Sequence, residues 1–193
     1  MARAMLGTEI YEKLVSAGEE LLGGTDTQIT LRDVEEKAGV PAGKSSMFFD
    51  TEADLAGILV DRCYRRTLLG CASAMSDRSL DYTQRISAGI EYVRGEAEKL
   101  DRIRSLADGE ASVKSRIVTY VDACETLKDA LQDVFADMAA KGVFSGDPAV
   151  KAAYIAYGLL GLHWLDCPET VKAEMFRDCL LSMLPVVESR KAG

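Results

Sequence analysis

Residues 29–55 read ITLRDVEEKAGVPAGKSSMFFDTEADL, the densest run of local structural signals in the chain. Thr30-Leu-Arg-Asp33 has the form of a capping box, in which the threonine hydroxyl accepts the backbone N–H three residues on and the aspartate returns the bond. Leu31, Val34 and Ala38 follow at helical spacing and form an inner face. Gly39 stands where a left-handed residue is needed after the last turn, and Val40-Pro41 restarts the chain with a proline suited to the first position of a new helix. A second short helix is expected over about 42 to 47, with Phe48 and Phe49 giving aromatic bulk at its end. Thr51-Glu-Ala-Asp54 is a second capping box. It opens a long helix through Leu55, Ile58, Leu59, Cys63 and Leu68 to about residue 74.

On the N-terminal side, Ile10, Leu14, Ala17, Leu21 and Leu22 repeat at helical spacing from Thr8 onwards, and Gly23-Gly24 stops them. A helix, a short helix, a glycine turn and a second short helix within 50 residues is the order of a helix-turn-helix DNA reader. On the C-terminal side, further helices are expected at about 82 to 97, 99 to 107, 111 to 141, 148 to 165 and 168 to 188. The stops between them are chemically sensible: Asp108-Gly109, Gly142 to Asp147 and Cys167-Pro168. The stretch 148–165 carries one charge in eighteen residues, so it must be covered on every side. Together with 168–188 it is the candidate helix-bundle contact of a homodimer.

Composition supports an all-α reading. The 193 residues are 48% apolar and 28% charged, with four prolines and only 7% aromatics, which disfavours disorder and a β-sandwich alike. No apolar run is long enough for a membrane span, and the N-terminus has no basic-then-apolar leader, so a soluble cytoplasmic protein is expected. Five cysteines, with no CxxC spacing, suggest neither a disulfide framework nor a zinc cluster. The net charge of −8 is unevenly spread. Within residues 1–60 five basic side chains face eleven acidic ones, a net of −6, which argues against non-specific coating of nucleic acid.

The run from Ile29 to Gly43, followed by Phe48-Phe49, Thr51 and Leu55, resembles the N-terminal signature of the TetR family of bacterial transcriptional regulators. The resemblance implies a three-helix DNA-binding domain over residues 1–50, a helix from 51 that links the domains, and a helical ligand-binding and dimerisation domain over 51–193. It implies a homodimer that binds double-stranded DNA and is released by a small-molecule effector. Carried over position by position, Thr30 would touch a phosphate. Pro41, Ala42, Gly43, Lys44, Ser45, Ser46 and Phe48 would lie on or beside the reading helix. Three positions depart from the family pattern. Ser45-Ser46 replaces an apolar residue and a tyrosine, and Glu52 replaces a lysine. A second reading therefore stays open, a dimeric helical sensor or partner-binding protein on the same scaffold that no longer touches DNA.

In the helical body, Tyr92, Tyr120 and Tyr154, with Tyr157, are candidates for an amphipathic ligand cavity. His163 and Trp164, the sole residues of their kinds, are candidates for ligand contact or for an interface. Asp122, Cys124 and Glu125 share a helix without making a metal or nucleophile site. GxSxG, P-loop, Rossmann and HExxH patterns are all missing from the sequence, so no enzyme, cofactor or metal is expected.

Overall fold

A computed structural model describes residues 2–22, 29–106, 116–163, 165 and 167–183. Among them are seven α-helices and no strand: α1 (Ala2–Leu22), α2 (Leu31–Ala38), α3 (Glu52–Met75), α4 (Tyr82–Leu106), α5 (Arg116–Ala140), α6 (Pro148–His163) and α7 (Glu169–Leu181). The all-α class read from the sequence is the class observed. Packing divides the chain into two compact units. Unit 1 is Met1–Tyr64 with Lys99–Arg116, and unit 2 is Arg65–Glu98 with Ile117–Gly193.

In unit 1 the core gathers Leu14 and Val15 of α1, Val34 of α2, Phe49, and Leu55, Leu59 and Cys63 of α3. Tyr11 and Phe48 close its edge, their rings meeting edge to face at 5.8 Å, the geometry that aligns a ring's positive rim with its neighbour's face. The capping box of α2 is formed as the sequence predicts: Asp33 N donates to Thr30 Oγ1 and Thr30 N donates to Asp33 Oδ2. Gly39 ends the helix at φ 64°, and the Val40 N–H reaches back to the Glu35 carbonyl. That left-handed conformation is open to glycine at little steric cost.

Unit 2 is built on α5, whose Leu127, Leu131, Val134, Phe135 and Met138 pack with Cys71 and Met75 of α3, Ile86 and Ile90 of α4, Ile155 and Ala156 of α6, and Phe176 and Leu180 of α7. Phe135 stacks on Phe144 at 4.9 Å. Two cations are buried among the described residues of this unit, Lys172, paired with Glu169 at 2.7 Å, and Arg85. Arg85, 1% exposed, donates from Nε to the Met75 carbonyl at the end of α3 and from its Nη atoms to Asp133 and Asp137 of α5. The guanidinium thereby satisfies an orphan helix-terminal carbonyl while its own charge is balanced.

Three expectations change. The short helix expected over 42–47 is a turn followed by a single 3₁₀ turn, Ser45–Met47. Gly43 adopts φ 80° while Lys44 N bonds the Pro41 carbonyl, which is the type II arrangement with glycine at its third position, and that conformation cannot continue an α-helix. The helices expected at 82–97 and 99–107 are one continuous α4, since neither glycine nor proline stands between Glu98 and Asp101. Helix α1 begins at Ala2 rather than near Thr8, the preceding Ala, Arg, Met and Leu all being good helix formers. The first residues of the helix expected at 111 and the last of the one expected to reach 188 lie outside the described residues.

Candidate functional site

The exposed end of unit 1 is the segment from Pro41 to Met47. Pro41, Ala42, Gly43, Lys44, Ser46 and Met47 are exposed, and the tip carries both a cation and an apolar side chain, Met47 being 63% exposed. Lys44 Nζ lies 3.9 Å from Met47 Sδ. No carboxylate among the described residues comes within ion-pair distance of it. The other lysines of this unit's first helices behave differently: Lys13 pairs with Glu9 at 3.0 Å and Lys37 with Glu20 at 3.0 Å. Lys13 and Lys37 are thus paired, whereas Lys44, like Arg32 of α2, has no ion pair among the described residues.

Beneath the tip lies a carboxylate that sequence reading passes over. Glu35, on α2, is 5% exposed. Its Oε2 accepts the Gly43 N–H at 3.0 Å, and its Oε1 accepts both the Ser45 N–H at 2.7 Å and the Ser45 hydroxyl at 2.6 Å. The Ser45 hydroxyl and the two backbone N–H groups hold the Glu35 carboxyl below the ordinary glutamate range, against the opposing pull of burial. The signal that could have found it is a pair of charges, Glu35-Glu36, on a helix whose opposite face is apolar; spacing alone does not say which of the two turns inward.

Of the side chains expected to touch DNA, Lys44 and Ser46 are exposed on the turn, Ser46 Oγ donating to the Gly43 carbonyl at 2.7 Å. Ser45 is buried, and its hydroxyl is committed to Glu35. Phe48 is half-buried among Tyr11 and Phe49. Thr30 is exposed, but its hydroxyl donates to Asp33 Oδ2 at 2.6 Å. The hydrogen bonds from the Thr30 hydroxyl and N–H also hold the Asp33 carboxyl below its ordinary range. At the start of α3, Asp54 Oδ2 accepts the N–H groups of Asp50 and Thr51. The helix starts that would otherwise offer bare N–H donors to an anion already hold carboxylates of the chain itself.

Of the tyrosines expected to share a cavity in unit 2, Tyr92 and Tyr154 have described side chains in different surroundings. Tyr92 is half-buried against the core, with its ring seated so closely over Gly70 that a methyl group placed on that glycine would collide with it. Tyr154 is 70% exposed on α6. Tyr120, His163 and Trp164 have side chains outside the described residues. Cys124 is buried, and burial pushes its thiol up to about 11, ahead of the smaller effect of Glu125 and Asp122, so it is no nucleophile at neutral pH. The outer face of α6 presents Val150, Tyr154 and Tyr157, spaced four and three residues apart, and α7 presents Val171, Met175 and Leu181. Both helices also contribute to the core, and they adjoin each other. No helix of the described residues is long and apolar enough to cross a membrane, and no group of three or more His, Cys, Asp or Glu among them could hold a metal ion.

No family model matches the chain, and no curated protein matches it either. Solved structures do. NemR of E. coli in its reduced form is 17% identical, with a TM-score of 0.51 over 91% of this chain and 97% of that one. SmeT, the repressor of the Stenotrophomonas maltophilia multidrug efflux pump SmeDEF, is 14% identical with a TM-score of 0.52, covering 91% of each chain. A bacterial regulatory protein of the TetR family from Rhodococcus is 14% identical with a TM-score of 0.50 over 91% of this chain and 97% of its own. The likeness over so large a share of each chain gives this protein the fold of the TetR-family regulators.

Proposed function

We propose that the chain is a homodimeric transcriptional regulator that reads double-stranded DNA with the Pro41–Met47 turn and responds to a small molecule taken up by unit 2, in the cytoplasm. The observation that carries the DNA reading is the Lys44 ammonium, at an exposed turn and with no ion pair among the described residues, in a unit whose Lys13 and Lys37 are already paired. A cation in that position can donate to phosphate, or to guanine O6 and N7. Thr30, Pro41, Ala42, Gly43 and Ser46 are its proposed neighbours at the duplex, with Ser45 and Phe48 supporting the turn from behind. The apolar stripes of α6 and α7 are the proposed dimer contact, in keeping with the habit of exposed apolar patches to mark interfaces. Tyr92 packs against the unit 2 core and is the described tyrosine we propose to meet an effector; Tyr154 we assign to the proposed dimer stripe. SmeT is a repressor, and repression is the sense of regulation we propose here.

A second reading has its own observation. The carboxylates of Asp33 and Asp54 occupy the starts of α2 and α3, and net charge over residues 1–60 is −6. A partner-binding scaffold that has given up DNA would look like this. One experiment separates the two: selection from a random duplex pool at low salt, followed by titration of the enriched sequence. Enrichment of a two-fold-symmetric site is the expected result, with Lys44→Ala weakening binding and lowering the slope of log K against log salt by about 1 for each phosphate it leaves unneutralised. A folded dimer that enriches nothing would leave the second reading.

A further inference from the structure

The DNA-reading element of unit 1 has too little backbone pairing to hold its own shape. A three-residue 3₁₀ turn makes few hydrogen bonds, and a type II turn adds one more, from Lys44 N to the Pro41 carbonyl. Runs this short are poorly stabilised on their own. What ties the element to α2 is a carboxylate eight to ten residues away in sequence. Both Glu35 oxygens are used, one on Gly43 N–H and the other on the N–H and hydroxyl of Ser45. Gly43 is left-handed and Lys44 right-handed, at φ −75° and ψ −25°. Successive residues of that alternation turn their N–H groups to one side and make a concavity for an anion. Here the anion is the chain's own, and it is buried, so its charge must be met by those donors.

We infer that Glu35 is the positioning residue of the reader: its carboxylate, seated in the N–H concavity of Gly43 to Ser45, fixes the geometry in which Lys44 and Met47 are offered to a duplex. Glu35 touches no DNA. It acts through the turn, and Met47, standing beside Lys44 at the tip, becomes the apolar half of the reading pair, of the kind that contacts a thymine methyl. The inference rests on the proposed DNA reading of this turn, and it divides two quantities. Affinity for any duplex comes from charge and is insensitive to the exact pose of Lys44. Discrimination between sequences requires that pose.

The test uses the full-length chain and its variants Glu35→Gln, Glu35→Ala and Ser45→Ala, against the duplex enriched by the parent protein and an unselected duplex of equal length. Amide hydrogen exchange is followed in parallel. In Glu35→Ala the Gly43 and Ser45 amides are expected to exchange at least about tenfold faster, with the Leu14 and Leu59 amides of the unit core unchanged. The ratio of enriched to unselected affinity is expected to fall about tenfold, with unselected affinity itself held or slightly raised by removal of a negative charge. Glu35→Gln keeps one acceptor oxygen and Ser45→Ala removes one donor, so both are expected to fall between; they keep the test alive if Glu35→Ala does not fold. An unchanged ratio in a folded Glu35→Ala or Glu35→Gln protein overturns the positioning role alone. So does unchanged protection of Gly43 and Ser45. Failure of the parent protein to enrich any sequence overturns the DNA reading itself.

Discussion

Unit 1 and unit 2 hold their shapes by different means. In unit 2 five helices share an apolar core, and even the most deeply buried cation among its described residues, Arg85, is laid along helix ends where carbonyl and carboxylate partners wait. In unit 1 the core is smaller among the described residues, and the turn proposed to read DNA is outside it, held by Glu35 and flanked by two capped helix starts. An apolar core is non-directional and tolerates volume-conserving exchange. A carboxylate seat is directional and fails when one atom changes. The body of this protein should therefore drift in sequence with little consequence, whereas the turn should not.

The sharpest way to break that contrast is to truncate the body. Phe135 is fully buried and stacked on Phe144. Phe135→Ala is expected to lower stability by about 3–5 kcal/mol, the range for emptying a core aromatic site, read as a shift of the urea midpoint at unchanged slope. A loss under about 1 kcal/mol would mean that the core is looser than its burial implies.

Acid should act on the seat. Glu35 and Asp33 both titrate below their ordinary values in the folded chain. Each therefore contributes stability that is present above the unfolded-state value and is lost as pH falls through the depressed one. Asp122 and Asp133 of unit 2, lowered chiefly by their hydrogen bonds to Arg65 and Arg85, behave the same way. Stability is thus expected to be flat near neutrality and to decline on the acid side. Glu35→Gln, which has no proton to gain there, should flatten part of that limb. An acid limb identical in slope for the two proteins would show that the Glu35 carboxyl is not held in its charged form.

Glu35 also marks the boundary of what the residues alone disclose. The Thr30–Asp33 box and Gly39 are legible because each demands particular residue types at a fixed short spacing, and the helices are legible from periodicity. The seat is not. Glu35 stands beside Glu36 in a charged run, which reads as a solvated face, and its partners Gly43 and Ser45 lie in another element. Pro41, suited to the first position of a helix, suggests one over 42–47. The left-handed Gly43 that interrupts it is selected by the carboxylate, a tertiary cause. Arg85 is hidden for the same reason, its acceptors Asp133 and Asp137 being some fifty residues on.

A smaller effect probes the flank of the turn. Thr30→Ala removes the side chain that accepts Asp33 N and is expected to cost about 1 kcal/mol, the usual value of an N-cap, measured by thermal or urea unfolding. It also frees the Asp33 carboxylate from the hydroxyl that now binds it. If the α2 start meets a duplex, the freed negative charge should weaken DNA binding beyond the loss in stability. If it does not, binding should be untouched.

The thiols compare the two units without altering either. Cys63 lies in the unit 1 core, whereas Cys71 and Cys124 lie buried in unit 2. Burial pushes the Cys71 thiol up to about 12. The thiolate is the reactive species, so a disulfide reagent at mildly alkaline pH should reach these three only through opening of the surrounding structure, while Cys167 and Cys179, each partly exposed, react first. Rates at the slow three then report local opening free energies. If the smaller core of unit 1 is the weaker of the two, Cys63 is trapped ahead of Cys71 and Cys124, and the interval between them widens in Glu35→Ala. Simultaneous trapping of all three would mean that the units open together, and that loss of the Glu35 seat is felt by the whole chain rather than by the turn.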